Sequence, residues 1–269
     1  MADQLTDQQW QEFNEQGFLP LGRVLDDEQL AAMQQRIDDI MLGTAEIDYE
    51  KVMMQLDADS DDYSKLSPQT KGHKGATLDY RKIQDLEYDP MYLEYMQRPL
   101  FKDICERAYG KGHQVRCFRA MFMNKPAGKG TYLPWHQDRW TYLDRDPKIT
   151  IWLALDPVTV ENGAVQIIPG THKKLRNPEH SSGFLTKQMI EDLDKSNARY
   201  VELEAGEAVI LHNWTLHSSD RNTSKIARRA FSTCYMDGET KVTVDGAHSW
   251  NTLFGEGAMT VDDLQSAKA

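Results

Sequence analysis

Apolar residues recur every three or four positions through the first hundred residues, and at every second position beyond about residue 110. Thr6 opens the first helical stretch with Gln9 three residues on, the two halves of a capping box. Trp10 and Phe13 form its apolar side before Gly17 stops it. Phe18 to Leu21 reads as a short strand whose proline suits an edge. Asp26 or Asp27 caps a second helix in which Leu30, Met33, Ile37, Ile40 and Met41 share a side, with Gly43 as its end. Residues 46–74 lose periodicity and read as one long polar loop, of the length that domains use for lids or substrate-binding segments. Its acidic run, Asp57 to Asp62, lacks the glycine and terminal glutamate of a calcium loop and reads as solvated. Asp89-Pro90 then precedes helical chain from Met91 to Tyr109, with Leu93, Met96, Leu100, Ile104 and Ala108 on one side.

From Gln114 the period becomes two. Over Gln114 to Met123, Cys117, Arg119, Met121 and Met123 fall on one face, and Arg116, Phe118, Ala120 and Phe122 on the other. A turn at 124–128 leads to the segment around His136. The strands Ile149 to Leu155, Ala164 to Ile168, Tyr200 to Leu203, Ala208 to Trp214 and Arg228 to Met236 follow, separated by turn residues, with a helix over 186–193 in a polar insertion. Short strands after a helical beginning predict an α+β fold: a double-stranded β-helix, or cupin-like jelly roll, flanked by N-terminal helices. No linker-like stretch divides the 269 residues, so a single domain over 1–269 is expected. Its helical support would span about 1–110, its jelly-roll core about 111–240 and its tail 241–269.

Composition narrows the partners. A net charge of −11 with no basic run points away from nucleic acid. No apolar run approaches the roughly 20 residues of a membrane span, and the first residues lack the basic-then-apolar pattern of a signal peptide. Cys105, Cys117 and Cys234 make neither a disulfide framework nor a zinc motif, so a cytoplasmic protein acting on a small molecule is expected.

Candidate chemistry centres on His136-Gln137-Asp138. A histidine and a carboxylate two residues apart on extended chain point the same way. A second imidazole on a neighbouring strand would complete the two-histidine, one-carboxylate face used by non-haem Fe(II) oxygenases. Of the eight histidines, His73, His113, His172, His180 and His248 have polar or glycine-containing surroundings and read as surface residues. His212, inside a strand, faces solvent or a neighbouring strand. His217, close to a strand rim, is the preferred second imidazole. Eleven residues later Arg228 opens a strand, with Ala230, Ser232 and Cys234 on its face and Arg229, Phe231 and Tyr235 on the other. A guanidinium there suits the distal carboxylate of 2-oxoglutarate, because its planar fork binds a carboxylate in a way that lysine cannot reproduce, with Arg229 the weaker candidate; the competing account makes both arginines surface charges.

The order of these motifs resembles the phytanoyl-CoA dioxygenase family of Fe(II)/2-oxoglutarate oxygenases, from about Leu5 to Met236. The resemblance is carried by Gln11-Glu12-Phe13 with Gly17-Phe18-Leu19, by Lys82-Ile83-Gln84-Asp85, by Met121 to Pro126 and by the His136 triplet. Glu161-Asn162-Gly163, Ile168 to Lys173, and His217-Ser218-Ser219 with Asn222 and Arg228 complete it. It implies Fe(II) held by His136, Asp138 and His217. It also implies 2-oxoglutarate held by Arg228, with Ser219 beside it and Lys82, Met121, Gln137 and Trp152 lining the pocket. The implied reaction uses O2 to hydroxylate an unactivated C–H bond, with succinate and CO2 as co-products and ascorbate as the reductant in vitro. Related halogenases carry a small residue where this chain has Asp138, so its carboxylate favours hydroxylation. Arg119, on the face of Met121, is a candidate second anion anchor by alternation alone; an internal carboxylate partner is the competing account. Residues 46–74 and 175–195, which would choose the substrate, carry no specificity motif. Lys71, Lys74, Arg81 and Lys82 gather in sequence, either to meet an anionic group or as a solvated charge run. A CoA-linked substrate therefore does not follow, nor does an N-terminal peroxisomal address appear. Two other readings stay open: a metal- or 2-oxoglutarate-binding protein without turnover, and a metal-dependent cupin hydrolase using the same ligands.

Overall fold

The computed structural model describes residues 2–58, 65–246 and 248–266. Helix α1 (Asp7–Gln16) starts at the Thr6–Gln9 capping box and stops at Gly17, whose φ of 78° is the left-handed conformation that favours glycine. Helix α2 (Asp27–Leu42) repeats the device with Asp26, Gln29 and Gly43. The helical stretch expected from Met91 to Tyr109 is two helices, α3 (Pro90–Met96) and α4 (Pro99–Tyr109). Pro99 imposes the break: it forces Arg98 into extended backbone and then serves as the first residue of α4, where no N–H is needed. Short α5 (Lys187–Glu191) is capped by Thr186, and α6 (Val261–Ser266) lies near the C-terminus.

The strands in chain order are β1 (Phe18–Arg23), β2 (Met53–Leu56), β3 (Thr70–Lys71), β4 (Tyr80–Gln84), β5 (Val115–Lys125), β6 (Leu133–His136) and β7 (Ile149–Ala154). They continue as β8 (Val165–Ile168), β9 (Arg199–Val201), β10 (Glu207–His212), β11 (Leu216–Ser219), β12 (Arg228–Asp237) and β13 (Thr252–Phe254). The large antiparallel sheet runs β1-β10-β7-β12-β5-β4-β2-β3, with β13 also on β5; the small one runs β6-β11-β8-β9. Together they form the jelly-roll core.

Two expectations change here. Residues 46–74 are not one loop, because β2 and β3 pair and β2 extends the large sheet beyond β4. Their few apolar positions, with Val52 and Met54 buried, are too sparse to show a period. Asp59 to Asp62 of the acidic run lie outside the described residues. The stretch after residue 240 is folded in as well: β13 pairs with β5, and Leu253, Phe254 and Leu264 join the main core.

That core lies between the helices and one face of the large sheet, where Phe13, Met33, Ile37, Tyr92 and Phe101 meet Ile83, Phe122, Ile151, Leu153 and Phe231. Every residue of β7 is buried, because helices cover one face and the small sheet the other. Arg229, facing outward as expected, binds Asp156 with Nε and Nη2 at 2.9 and 2.8 Å and Asp38 of α2 with Nη1 at 2.6 Å, clamping the helix to β12. His73 and His172 are not surface residues. His73 lies between the Tyr49 and Tyr80 rings with Nε2 on the Met41 carbonyl, and His172 is buried with Nε2 on the Asn14 carbonyl. Their polar sequence neighbours conceal contacts made by distant chain. His113, His180 and His248 are exposed.

A bulge alters the face assignment of β5. Its pairing with β12 steps from Arg119↔Cys234 to Cys117↔Tyr235, leaving Phe118 unpaired. Cys117 therefore turns toward the helices, contrary to its expected place beside Arg119, and Phe118 turns inward with Trp140 and Cys234. One extra residue shifts the alternation by one step. Among the described residues, no helix is long and apolar enough to cross a membrane.

Glu87, in the 3-10 turn Leu86–Tyr88, is buried with Oε2 lacking a hydrogen bond and Oε1 3.5 Å from the Asn251 amide. Burial, then the neighbouring Asp85, pushes its carboxyl up to about 8 from an ordinary 4.5. The folded chain thus keeps a proton that the unfolded chain releases. Stability is expected to fall by a few kcal/mol as pH rises from about 4.5 to about 8, and Glu87→Gln should flatten that window; urea unfolding across it is the check.

Candidate active site

Strands β6 and β11 pair with His136 directly opposite His217, and the two imidazole centroids are 4.1 Å apart. Each Nδ1 lies 2.8 Å from the carbonyl two residues back, Pro134 for His136 and Thr215 for His217. A carbonyl can only accept, so Nδ1 carries the proton and Nε2 offers its lone pair to the cavity. Burial and the adjacent His217 push His136 down to about 3, which keeps it neutral. Asp138 follows at the end of the same segment, its Oδ1 3.8 Å from His136 Nε2 and its N–H donating to the Asn213 carbonyl at 2.7 Å. One ligand atom from each of the three lies within 4.8 Å of the others, the one such cluster among the described residues. Two imidazoles and a carboxylate gathered on one face fit an octahedral divalent ion such as Fe(II), with its other positions open.

Three supports escaped the sequence reading. Asn213 accepts from the Thr150 hydroxyl at 2.6 Å and donates to the Pro147 carbonyl at 2.9 Å, which fixes the carbonyl that Asp138 uses. Gly183 has φ +66°, and a Cβ there would stand 1.8 Å from the Gln137 carbonyl. That close approach brings Phe184 over His136, rings stacked with centroids 4.7 Å apart. Lys125, beside Arg228 across the sheet, donates from Nζ to the Thr131 carbonyl at 2.8 Å and to the Asp220 carbonyl, tying down the end of β11. Glycine in the polar insertion was the one visible signal; the other two depend on long-range pairing.

Gln137 does not line the cavity. The alternation that unites His136 with Asp138 sends its side chain the other way, fully buried. Its amide donates to the Trp214 and Lys174 carbonyls at 2.6 and 2.9 Å, and its oxygen accepts from the Arg176 N–H at 2.6 Å. It braces the site from behind.

The remaining residues converge. A cavity of about 290 Å³ is lined by His136, Asp138, His217, Lys82, Met121, Trp152, Ser219, Arg228 and Arg119. Arg228 is buried, its Nε has no partner, and its guanidinium stands 5.4 Å from the Trp152 ring centroid. Burial and nearby Arg81 lower its pKa to about 10, so it stays charged at neutral pH. Among the described residues no carboxylate pairs with it, whereas Arg229 has two. Burial, then Arg81 and Arg119, lowers Lys82 to about 7. The basic gathering of Lys71, Lys74, Arg81 and Lys82 is not one patch: Lys71 is exposed, Arg81 is buried against Gln55, and Lys82 faces the cavity.

A double-stranded β-helix with a His-Asp-His cluster facing an unpaired arginine is the architecture of a metal-dependent oxygenase. The family described as Phytanoyl-CoA dioxygenase (PhyH) matches residues 13–230, and the chain belongs to it. The bovine "Phytanoyl-CoA dioxygenase, peroxisomal" is 29% identical over 182 residues, 63% of this chain and 53% of that protein. The zebrafish (Danio rerio) "Phytanoyl-CoA dioxygenase domain-containing protein 1" is 26% identical over 277 residues, 89% of this chain and 93% of that protein. The chain spans about half the length of several curated relatives it matches. Among solved structures, the non-heme alpha ketoglutarate dependent carbocyclase SnoK has a TM-score of 0.65 at 18% identity, covering 98% of this chain and 91% of its own. EctD from S. alaskensis, solved with 2-oxoglutarate and 5-hydroxyectoine, has a TM-score of 0.67 at 15% identity, covering 86% and 76%. These two likenesses are of fold.

In anaerobic titration the wild type is expected to bind about one Fe(II) or Co(II) per chain, and His136→Ala or His217→Ala to weaken binding at least about tenfold. Gly183→Ala should also weaken it, because the added methyl displaces the Gln137 carbonyl and with it the segment between the first two ligands.

Proposed function

We propose that this protein is an Fe(II)- and 2-oxoglutarate-dependent dioxygenase that hydroxylates an unactivated C–H bond of a small or medium-sized organic substrate, with succinate and CO2 as co-products. The observation that carries this reading is Arg228: a buried, charged, unpaired guanidinium in the same cavity as the His-Asp-His cluster. An uncompensated buried charge is costly, and a ligand carboxylate removes that cost by supplying two parallel hydrogen bonds.

His136, Asp138 and His217 would hold the iron. Bound iron and 2-oxoglutarate supply the oxidising chemistry, which is theirs and not the protein's. The chain's part is positioning. Arg228 takes the distal carboxylate of 2-oxoglutarate, with Trp152 flanking the guanidinium and the Ser219 hydroxyl beside it. Lys82 and Met121 line the same space, and Phe184 over His136 limits water at the ligand face. Asp138 occupies the position that family halogenases leave small, which favours return of a hydroxyl. The crystal of EctD with 5-hydroxyectoine is of a neighbour in fold that holds a hydroxylated molecule, and it supports this reading. A hydrolase built on the same ligands would have no use for Arg228. The three cysteines are free and buried, which suits a reducing compartment, and the cytoplasm is our reading of location.

Succinate formation from 2-oxoglutarate with Fe(II) and ascorbate is expected for the wild type and absent for His136→Ala; equal turnover in both would sink the proposal. Arg228→Lys should raise the KM for 2-oxoglutarate at least about tenfold, because a point-charge ammonium cannot make the paired contact. An unchanged KM would show that Arg228 does not hold the co-substrate.

A further inference from the structure

The cavity contains a cation that this reaction does not use. Arg119, half-buried on β5, has no hydrogen bond or ion pair among the described residues; the Asp85 carboxylate feels its charge without pairing with it. Its guanidinium lies 5.3 Å from the Phe118 ring centroid and 5.0 Å from that of Trp140, and the two rings meet edge to face at 4.5 Å. Aromatic faces stabilise a cation without occupying its N–H donors. The group is therefore held in place with its fork unspent, and the β5 bulge is what sets Phe118 and Arg119 on the same side.

Position separates Arg119 from the co-substrate arginine. Along β12, Arg228 pairs with Lys125 and Cys234 with Arg119, six residues or roughly 20 Å apart. Ser219 belongs to the Arg228 end, since Lys125 Nζ reaches its carbonyl. Asp138 belongs to the Arg119 end, since its N–H binds Asn213, whose amide contacts Cys234. A diacid held by Arg228 and reaching toward the His-Asp-His face leaves Arg119 beyond it. Charge agrees with position. Asp138 is the one carboxylate among the lining residues, against Lys82, Arg119, Arg139 and Arg228, and of these Arg139 is spent on Asp146 and the Pro178 carbonyl. A divalent ion and a dianionic co-substrate offset each other, so the excess positive charge at Arg119 remains.

Resting on the proposed function, we infer that Arg119 is a substrate-binding residue whose guanidinium takes a carboxylate, so the molecule oxidised is a carboxylic acid. A single planar fork matches a planar carboxylate in a bidentate pair; a phosphate dianion asks for more cations than Arg119 offers.

The test uses the full chain loaded with Mn(II) and N-oxalylglycine, an unreactive 2-oxoglutarate analogue, titrated in a calorimeter with benzoate, benzamide and phenyl phosphate. The wild type is expected to bind benzoate at least about tenfold more tightly than benzamide, with Arg119→Leu losing that preference and Arg119→Lys keeping part of it. Thermal midpoints of both variants check that they fold. No preference for benzoate in the wild type, an undiminished preference in Arg119→Leu, or tighter binding of phenyl phosphate than of benzoate overturns the inference. If N-oxalylglycine itself does not bind, the proposed function fails and this inference with it. If the analogue binds and the benzoate preference is missing, the inference fails alone.

Discussion

The pairing of β6 with β11 is the constraint on which the site depends. It places His136 opposite His217, and a slip of one residue would turn one imidazole out of the cavity and Gln137 into it. Main-chain carbonyls at Pro134 and Thr215 orient both rings, so the imidazoles are set before any ion arrives. The same register leaves Gln137 free to bind the backbone of Trp214, just ahead of the β11 histidine, and of Lys174 and Arg176. The two ligand-bearing segments are thus joined both across the strand pair and behind it.

Burial of charge divides two adjacent residues. Arg229 faces α2 and is neutralised by Asp156 and Asp38, so its guanidinium serves as a clamp. Arg228, one residue earlier and on the other face, meets aromatic carbon and, among the described residues, no carboxylate. Leaving a guanidinium dry and unpaired destabilises the free protein, and such a group persists where a ligand completes it. Lys82 yields differently: lowered to about 7, it can shed its charge where Arg228 cannot.

Much of this was legible in the sequence. The His136–Asp138 spacing, the strand phase of Arg228, and the capping residues of α1 and α2 are local signals, and local geometry decided them. Only the family resemblance puts Gln137 in the pocket; strand alternation sends it outward, and the local geometry wins. Cys117 departs from the simple alternation because a bulge leaves no mark in the residue pattern; only the partner strand reveals the extra residue. Strands β2 and β13 and the packing of His73 and His172 depend on chain a long way off in sequence, which residue pattern does not carry.

The alternation of the large sheet has one more consequence. Ile83, Phe122, Ile151, Leu153 and Phe231 pack on the helices, while Lys82, Met121, Thr150, Trp152 and Ser232 from the same strands face the cavity. The larger apolar core lies on one side of the sheet and the cavity on the other, beside a smaller apolar cluster that includes Trp152. Cavity positions such as Lys82, Met121 and Ser232, which belong to no core cluster, can therefore change by mutation with little loss of the scaffold, so descendants of this chain can drift toward new substrates while the iron-ligand register and the helix-side core stay put.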